Sequence, residues 1–389
     1  MARRVAGRKA LVIGLTVLLV AVAALAVVWA RRGSDPGPSG PTAAPSTPSH
    51  SQRSSSKEVY VDCAAPAGGD GSKDRPWASP AALDDVWLPQ GATVFLKRGC
   101  SWDVPVSVSG SATRSEPIRV TAYGEGVAPI LSAGSVPRET AVLTLETPHM
   151  RADGLHVRRA AGAGISIKGA DSLVSDSTIE DVAIGVQFLG ERSTAERMNI
   201  HDLNMLINTP GGNDDAGAIG FSVEAHDVTI ADSTCTNCVA PSYDYGHDGG
   251  FADIWNHGDR LTIRNSTGNN VDGFLEVGGN RQDASAVDVR LIDNKVNSVG
   301  GFIWLHTEGD YAMRIGRVEA RGNTIDSDSR TEILGGAIET IEFVDNTVTS
   351  TSQITHDQRP AQHRGNRYTL PEGVNVGFDL DGSESLERR

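Results

Sequence analysis

The chain of 389 residues carries 35 Lys and Arg against 49 Asp and Glu, a formal net charge of −14 at pH 7. The first 57 residues hold eight of the basic residues and one acidic residue, so the remaining 332 have 27 basic against 48 acidic residues, an excess of 21 negative charges. A body of that charge repels polyanions, which argues against nucleic acid as a partner.

An apolar segment stands near the start of the chain. Residues 11–30 are uncharged and mostly apolar, enough for a helix that crosses a hydrocarbon core of about 30 Å. Four basic residues precede this segment and two follow it, which places residues 1–10 in the cytoplasm as a basic tail. The apolar run is longer than that of a cleavable signal peptide. The sequence therefore predicts an uncleaved transmembrane signal anchor in the cell membrane, and secretion after cleavage is the alternative.

Residues 31–57 are rich in Ser, Pro and Gly and contain almost no apolar side chains. Such a composition cannot bury enough surface to fold. We expect a disordered linker that tethers an extracellular domain, residues 58–378, to the membrane. Residues 379–389 are predicted to form a flexible tail.

A short phrase of Asn or Asp followed by a polar and an apolar residue recurs through the second half of the chain. It begins at Asp176, Asp232, Asn265, Asn294, Asn323, Asn346 and Asn366, with Arg197 in the same register. Spacings of 20 to 35 residues are typical of stacked coils. Because equivalent Asn side chains at a turn can hydrogen-bond the backbone of the next coil, we interpret the phrase as a ladder.

Between these phrases, apolar residues alternate with a period of two, and helical spacing is scarce. Alternation predicts strands, and each coil has about two. In a parallel solenoid the strands of neighbouring coils lie about 4.8 Å apart. The sequence thus predicts an all-β fold, a parallel β-helix.

Three segments near the start of this domain resemble the N-terminal cap and first strand of the right-handed parallel β-helix, or pectate-lyase-like, superfamily. They are YVDCAAPAGGDG at 60, RPWASPAAL at 75 and LPQGATVFLKRG at 88. The resemblance extends to about residue 378 and implies right-handed coils with a short N-terminal capping helix. It implies no single function, because this scaffold carries lyases, hydrolases, esterases, epimerases and adhesive proteins.

The four cysteines fit an exported domain. Cys63 and Cys100 flank the predicted cap and could staple it, whereas Cys235 and Cys238 form a Cys-x-x-Cys after a ladder phrase. A redox or zinc role for the second pair lacks a thioredoxin-like context or a second ligand pair. We expect two structural disulfides, and one disulfide with a labile pair is the alternative.

Two coils are longer than the others, and their insertions at 208–218 and 240–250 should loop out on one side, where binding clefts form. Stacking should bring both loops and the strand after them to one patch. That patch contains Asp214, Asp215, Tyr243, Asp244, Tyr245, His247, Asp248, Asp253 and Trp255.

The coil after this patch adds a second acidic strand. Aligning Phe251 with Phe274 puts Glu276 in register with Asp253, about 5 Å away on the adjacent strand. Like charges at that distance raise one pKa, which suits a general acid beside a base or nucleophile. We expect Glu276 to be the acid and Asp253 or Asp244 the base or nucleophile, with Asp248 a further catalytic candidate.

Substrate contacts are expected from aromatic, histidine and loop residues of the same patch, the composition of a sugar-binding cleft. They are Tyr243, Tyr245, His247, Trp255, Asp214 and Asp215, together with Trp304 and His306 from the next aligned strand. The motif SYDYGHDGG followed by FLEVGG is similar to a phrase of uncharacterised exported β-helix proteins of actinobacterial type. That resemblance implies one site containing Tyr243, Asp244, Gly246, Asp248, Asp253 and Glu276, and it implies no reaction.

Two alternatives stay open for the acidic residues. If alternation is regular, Asp253 points to the same side as Phe251, so the acid pair faces either a cleft or the core. Asp214, Asp215 and Asp248 are also common turn formers, although so many acids in loops could bind calcium.

The predicted function is that of a surface-tethered, monomeric enzyme that cleaves a polysaccharide or cell-wall glycan by carboxylate-assisted glycoside hydrolysis. A calcium-dependent polysaccharide lyase acting on a uronate polymer is the first alternative, with Arg260, Arg264 and Arg281 as the nearby cations. A non-catalytic glycan-binding module is the second.

Overall fold

The computed structural model describes residues 52–212, 214–306, 312–328, 332–356 and 359–389. The predicted cytoplasmic tail and signal anchor, and residues 31–51 of the predicted linker, lie outside this part of the chain. Among the described residues no helix has the length and apolar character needed to span a membrane.

In the described ranges regular structure is almost entirely β, with two 3-10 helices at Pro80–Asp85 and Ile338–Thr340. The strands, β1 to β39 in chain order, are Gln52–Arg53, Glu58–Val61, Val86–Leu88, Thr93–Lys97, Ser101–Asp103, Val106–Gly110, Ile118–Tyr123, Ile130–Ser132, Leu143–Leu145, Met150–Asp153, His156–Ile167, Leu173–Ser175, Thr178–Phe188, Thr194–Glu196, Asn199–His201, Met205–Ile207, Ala216–Gly217, Ile219–Val223, Thr229–Ala231, Thr234–Cys238, Ala240–Ser242, Gly246–Asp248, Gly250–Trp255, Thr262–Arg264, Thr267–Val271, Gly273–Gly278, Ser285–Ala286, Val289–Ile292, Lys295–Ser298, Ile303–Leu305, Arg314–Ile315, Val318–Arg321, Thr324–Ser327, Leu334–Gly335, Ile341–Val344, Thr347–Ser350, Gln362–Arg364, Arg367–Leu370 and Ser385–Arg388.

The long sheets form three parallel faces that wrap around one core. The first face is a sheet of 12 strands that includes β12, β14 and β19. The second includes β15, β20 and β25, and the third includes β18, β23 and β26. Two long strands, β11 and β13, bend and contribute to both the second and the third face. Each coil crosses the three faces in turn, which confirms the predicted parallel β-helix.

The predicted ladder exists between the first and second faces, but its register differs from the prediction. Asn294, Asn323, Asn346 and Asn366 are buried, and each accepts a hydrogen bond from the backbone N–H of the equivalent residue in the preceding coil. In the earlier coils this column is occupied by Ser177, Ser233 and Ser266.

The Asp and Asn residues that open the phrase in those earlier coils lie one position before the ladder. Asp176, Asp232 and Asn265 have φ values of 51°, 52° and 51°. In the later coils the same turn position is taken by Asp293 and Gly322, also at positive φ. Asn, Asp and Gly tolerate this left-handed conformation better than other residues. The repeated phrase therefore combines two adjacent columns with different tasks: turning the chain and joining the coils.

Aromatic rings stack along the core. Phe251 and Phe274 have ring centroids 4.6 Å apart, and Phe274 and Phe302 5.4 Å apart. All three side chains are fully buried. This column fixes the alignment of the coils that carry the acidic residues.

Both predicted disulfides are present. Cys63 bonds to Cys100, and Cys235 bonds to Cys238. The second pair is buried in the core of the second face, which agrees with a structural role. The predicted capping helix corresponds to the 3-10 helix Pro80–Asp85, where the Ser79 hydroxyl accepts the N–H of Ala81.

Two predicted boundaries need correction. β1 pairs with β3, so the described end of the predicted linker joins the sheet. The predicted flexible tail at 379–389 ends in β39, which pairs with β38. Glu384 links this segment to the ladder, because its buried carboxylate accepts a hydrogen bond from the side-chain amide of Asn366, the last Asn of the ladder, at 2.6 Å.

Candidate active site

The third face bends where its strands carry the acidic residues. Phe251 and Ala252 are both buried in the main core, while their neighbours Gly250 and Asp253 line a surface cavity. Two successive inward residues break the regular alternation. Asp253 therefore faces outward although Phe251 faces inward, which resolves the alternative that the sequence left open.

The predicted register of the acid pair is confirmed. Asp253 lies opposite Glu276 in the β23–β26 pairing, and Glu276 lies opposite Trp304 in the β26–β30 pairing. Nε2 of His306 is 2.8 Å from Oε1 of Glu276. This contact orients the Glu276 carboxylate.

We call the cavity around this pair the acid pocket. Its functional side chains are Asp248, Asp253, Trp255, Glu276 and His306, and much of its remaining wall is Gly and Ala. Its volume is about 30 Å³, room for one or two water molecules rather than a sugar ring. A sugar must therefore lie over or beside the pocket.

Carboxylates crowd the acid pocket. Burial, reinforced by the negative charges of Glu276 and Asp248, holds the pKa of Asp253 well above its usual range. Burial, Glu276 and Asp272 likewise raise the pKa of Asp248. A carboxyl group that keeps its proton near neutral pH can act as a general acid.

Glu224, which the sequence analysis missed, belongs to this electrostatic group. Burial raises its pKa, with opposition from a hydrogen bond donated by Gln187, and its negative charge contributes to the raised pKa of Asp253. It directly follows β18, the strand that pairs with β23. Aligning the IGFSV segment at 219 with the following coil could have placed it here.

The loop acids accept hydrogen bonds within the two insertions. Asp215 is fully buried, and its carboxylate accepts hydrogen bonds from the N–H of Thr209, the hydroxyl of Ser242 and the N–H of Asp244. Burial alone would raise its pKa, but these donors outweigh burial and lower it. The carboxylate of Asp244 accepts the N–H groups of Gly212 and Asp214. These residues hold the two insertions together and do not line the acid pocket.

Four other predicted contacts also lie outside the wall of the acid pocket. Tyr243 is 67% exposed in the loop between β21 and β22, and Tyr245 donates its N–H to Ser242. Nδ1 of His247 is 2.7 Å from the Asp272 carboxylate, and Trp304 packs over Gly335. Tyr243 and Tyr245 therefore do not line the acid pocket, whose aromatic wall consists of Trp255 and His306.

The predicted calcium site can be tested against the loop acids. Oxygens of Asp214, Asp215 and Asp244 lie within 4.8 Å of one another. Six N–H or O–H donors already point at these three carboxylates. Calcium takes six to eight oxygen ligands, so a carboxylate set shared with so many donors fits the ion poorly.

Comparison with solved structures shows which known proteins share this fold. The chain is similar to a GH136 lacto-N-biosidase from Eubacterium ramulus at 12% identity, covering 85% of this chain and 68% of that protein with a TM-score of 0.55. It is similar to pectate lyase Pel9A at 15% identity, covering 86% and 79% with a TM-score of 0.52. The chain therefore shares the right-handed parallel β-helix fold of these proteins.

A rhamnogalacturonan lyase shares this β-helix at 13% identity, covering 80% of this chain and 87% of that protein with a TM-score of 0.51. No family model and no curated protein matches the sequence. At such low identities the likeness establishes the β-helix fold alone, so the chemistry must be argued from the acid pocket.

Proposed function

We propose that this β-helix is a glycoside hydrolase acting on a polysaccharide outside the cell. The observation that carries the proposal is the in-register pair of Asp253 and Glu276 inside a pocket that raises the pKa of one partner. Structural neighbours named as a lacto-N-biosidase and as polysaccharide lyases are compatible with a glycan substrate.

The environment favours roles opposite to those expected from the sequence. Asp253, protonated by its surroundings, donates its proton to the oxygen of the leaving sugar. Glu276, oriented by His306, attacks the anomeric carbon. Water then releases the sugar from Glu276 while the Asp253 carboxylate takes the water's proton. The two residues stand in register on neighbouring strands about 4.8 Å apart, a backbone spacing compatible with the carboxyl separation of roughly 5 Å in a retaining enzyme.

The lyase alternative draws no support from the expected cations. Arg260, Arg264 and Arg281 form ion pairs with Asp227, Asp232 and Asp283 respectively. None of the three arginines lines the acid pocket. They are engaged in the turns of the β-helix, so we do not assign them to substrate.

An extracellular, membrane-tethered location forms part of the proposal. The two disulfides support an oxidising compartment, and the apolar segment at 11–30 would supply the anchor. Protease treatment of intact cells should remove the β-helix, and alkaline washing should leave the chain in the membrane fraction. Release by alkali would contradict anchoring.

The test of activity uses the full-length chain on neutral and acidic polysaccharides. We expect release of reducing ends without the ultraviolet absorbance of unsaturated uronates. Asp253→Asn and Glu276→Gln should each lower turnover by about 10²–10⁴-fold while glycan binding persists. Asp232→Asn is the matched control, because Asp232 is an exposed turn carboxylate on Arg264. Full turnover by Asp253→Asn, or absorbance of unsaturated products, would contradict the proposal.

A further inference from the structure

The third face carries a second and larger cavity toward the N-terminal coils, which we call the axial groove. Its volume is about 390 Å³. Four polar side chains in successive coils lie on its floor: Ser107, Thr144, Ser166 and Gln187. Each pairs in register with the next across parallel strands. The groove therefore runs along the axis of the β-helix.

The floor of the axial groove continues into the acid pocket. Gln187 lies opposite Ser222, and Ser222 lies opposite Asp253. Two strand spacings, about 10 Å, separate Gln187 from the proposed acid. Beyond Glu276 the same column holds Trp304, whose ring packs over Gly335. The large cavity is thus on the N-terminal side of the acid pair.

Hydrogen bonds run from the floor of the axial groove to Glu224. The hydroxyl of Ser166 donates to Oε1 of Gln187 at 3.4 Å, and Nε2 of Gln187 donates to Oε1 of Glu224 at 3.2 Å. Glu224 in turn acts on Asp253 through its negative charge. A ligand that engages Gln187 would therefore contact the hydrogen-bond partner of a carboxylate whose charge acts on Asp253.

The charged side chains that line the axial groove are two cations and three carboxylates. Its two cations are each paired with a carboxylate, Arg138 with Glu139 at 3.3 Å and Lys168 with Glu146 at 3.0 Å. Asp84 adds a further acidic group. No unpaired cation among the described lining residues is available to neutralise a uronate, so a polyanionic chain would be repelled.

One wall of the groove is apolar. Ala163, Ile184 and Ile219 form a small cluster outside the main core, with Ala141 and Leu206 packed against it. All of these except Ile219 line the cavity. Ala163 and Ile184 stand on the same strands as Ser166 and Gln187, so the apolar residues run beside the polar floor. A polar strip next to an apolar one matches the two kinds of surface of a sugar ring, its hydroxyl groups and its C–H faces.

We propose that the axial groove is the binding site for the glycan segment next to the cleaved bond, and that this glycan is an uncharged chain lying along the helix axis. The proposal rests on the proposed hydrolase function, whose acid pocket supplies the reaction at the end of the groove. It assigns the substrate class, a neutral polysaccharide, and a direction, from the acid pair toward the N-terminal coils.

Calorimetric titration of the full-length chain tests this site with named probes: xylohexaose, cellohexaose, β-1,4-galactohexaose and hexagalacturonate. Asp253→Asn in the same chain prevents turnover during the titration. We expect at least one neutral hexasaccharide to bind. Ala141→Trp, which fills the groove from a partly exposed wall position, should weaken that binding by about tenfold, or about 1.4 kcal/mol. The control Val127→Trp lies at a 70% exposed loop position and should bind as before.

Three results would overturn the assignment: tighter binding of hexagalacturonate than of every neutral probe, no binding of any neutral probe, or unchanged binding by Ala141→Trp. Failure of the hydrolase proposal looks different. If the wild-type chain binds a neutral hexasaccharide but releases no reducing ends from polymers, the binding site stands and the hydrolase fails. If the wild-type chain cleaves a polymer and Ala141→Trp leaves the KM for that polymer unchanged, the hydrolase proposal stands and the assignment of the axial groove fails.

Discussion

Two acidic clusters stand next to each other in this β-helix and differ in what surrounds their carboxylates. In the acid pocket, Asp248 and Asp253 face other carboxylates, and burial with those charges raises the pKa of each. In the insertion loops, Asp215 is more deeply buried, yet backbone and hydroxyl donors lower its pKa. Identical side chains therefore have opposite protonation tendencies within one region of the molecule.

The difference teaches how to separate chemistry from architecture in a chain rich in Asp. A carboxylate that accepts several N–H groups stabilises its loop and has little capacity left for a substrate. A carboxyl group that is kept protonated against its own preference costs stability, a cost that persists where function needs it. By this criterion Asp253 is the proposed catalytic residue, whereas Asp215 stabilises the loop.

Removing a loop carboxylate should produce the largest loss of stability. Asp215→Ala leaves the donors of Thr209, Ser242 and Asp244 without their acceptor. Buried donors without a partner cost about 1–3 kcal/mol, so denaturant unfolding should show a loss in that range. Asp214→Ala is the matched control, because among the described residues of this loop the Asp214 carboxylate accepts a hydrogen bond from the Thr209 hydroxyl alone.

An equal loss of stability in Asp214→Ala and Asp215→Ala would break the distinction between the two loop residues. If Asp215→Ala folded with wild-type stability but lost turnover, Asp215 would move into the catalytic group. The number of hydrogen-bond donors around a carboxylate would then not distinguish the loop cluster from the acid pocket.

Replacing the proposed acid should have the opposite effect on stability, and it should depend on pH. Because the pKa of Asp253 is raised in the folded state, that state binds the proton more tightly than the unfolded chain. Stability from this group is present below the unfolded pKa of about 3.9 and is lost as the pH rises toward the folded pKa. Asp253→Asn does not titrate, so it should be more stable than the wild type at pH 7, by about 2 °C in Tm.

The gain in Tm for Asp253→Asn should shrink as the pH falls and vanish near about pH 3, below the unfolded pKa, where the wild-type carboxyl group is protonated in both states. Thermal unfolding of both chains between about pH 3 and 8 measures this difference. A difference that is constant with pH would mean that packing rather than the proton explains it, and a loss of Tm at pH 7 would refute the raised pKa.

The sequence was sufficient for the coil arrangement and the alignment of the acid pair, because Phe251, Phe274 and Phe302 repeat at matching positions and form a buried stack. It could not give the direction of Asp253. Alternation assumes a regular strand, whereas the bend places Phe251 and Ala252 both in the core.

The ladder shows a related limit. Asn265 and Asn294 both open the repeated phrase in the sequence. In the structure, Asn265 lies at a turn with positive φ, whereas Asn294 is buried and hydrogen-bonds the neighbouring coil. The sequence pattern placed Asp214, Asp215 and Asp244 in the site because the sequence does not show which donors a carboxylate accepts. The backbone N–H groups that engage Asp215 and Asp244 have no signature in the sequence, since every residue except Pro carries one.

Calcium should have the smallest effect. If the N–H and O–H donors satisfy Asp214, Asp215 and Asp244 as described, adding calcium or a chelator should leave the Tm of the full-length chain unchanged, because a ligand stabilises a fold only by binding it. A rise in Tm that saturates with calcium, and that Asp244→Asn abolishes, would show that these carboxylates exchange their backbone donors for a metal. The loop cluster would then be a functional cation site beside the acid pocket, and the presence of hydrogen-bond donors would no longer suffice to tell structural from functional carboxylates in this β-helix.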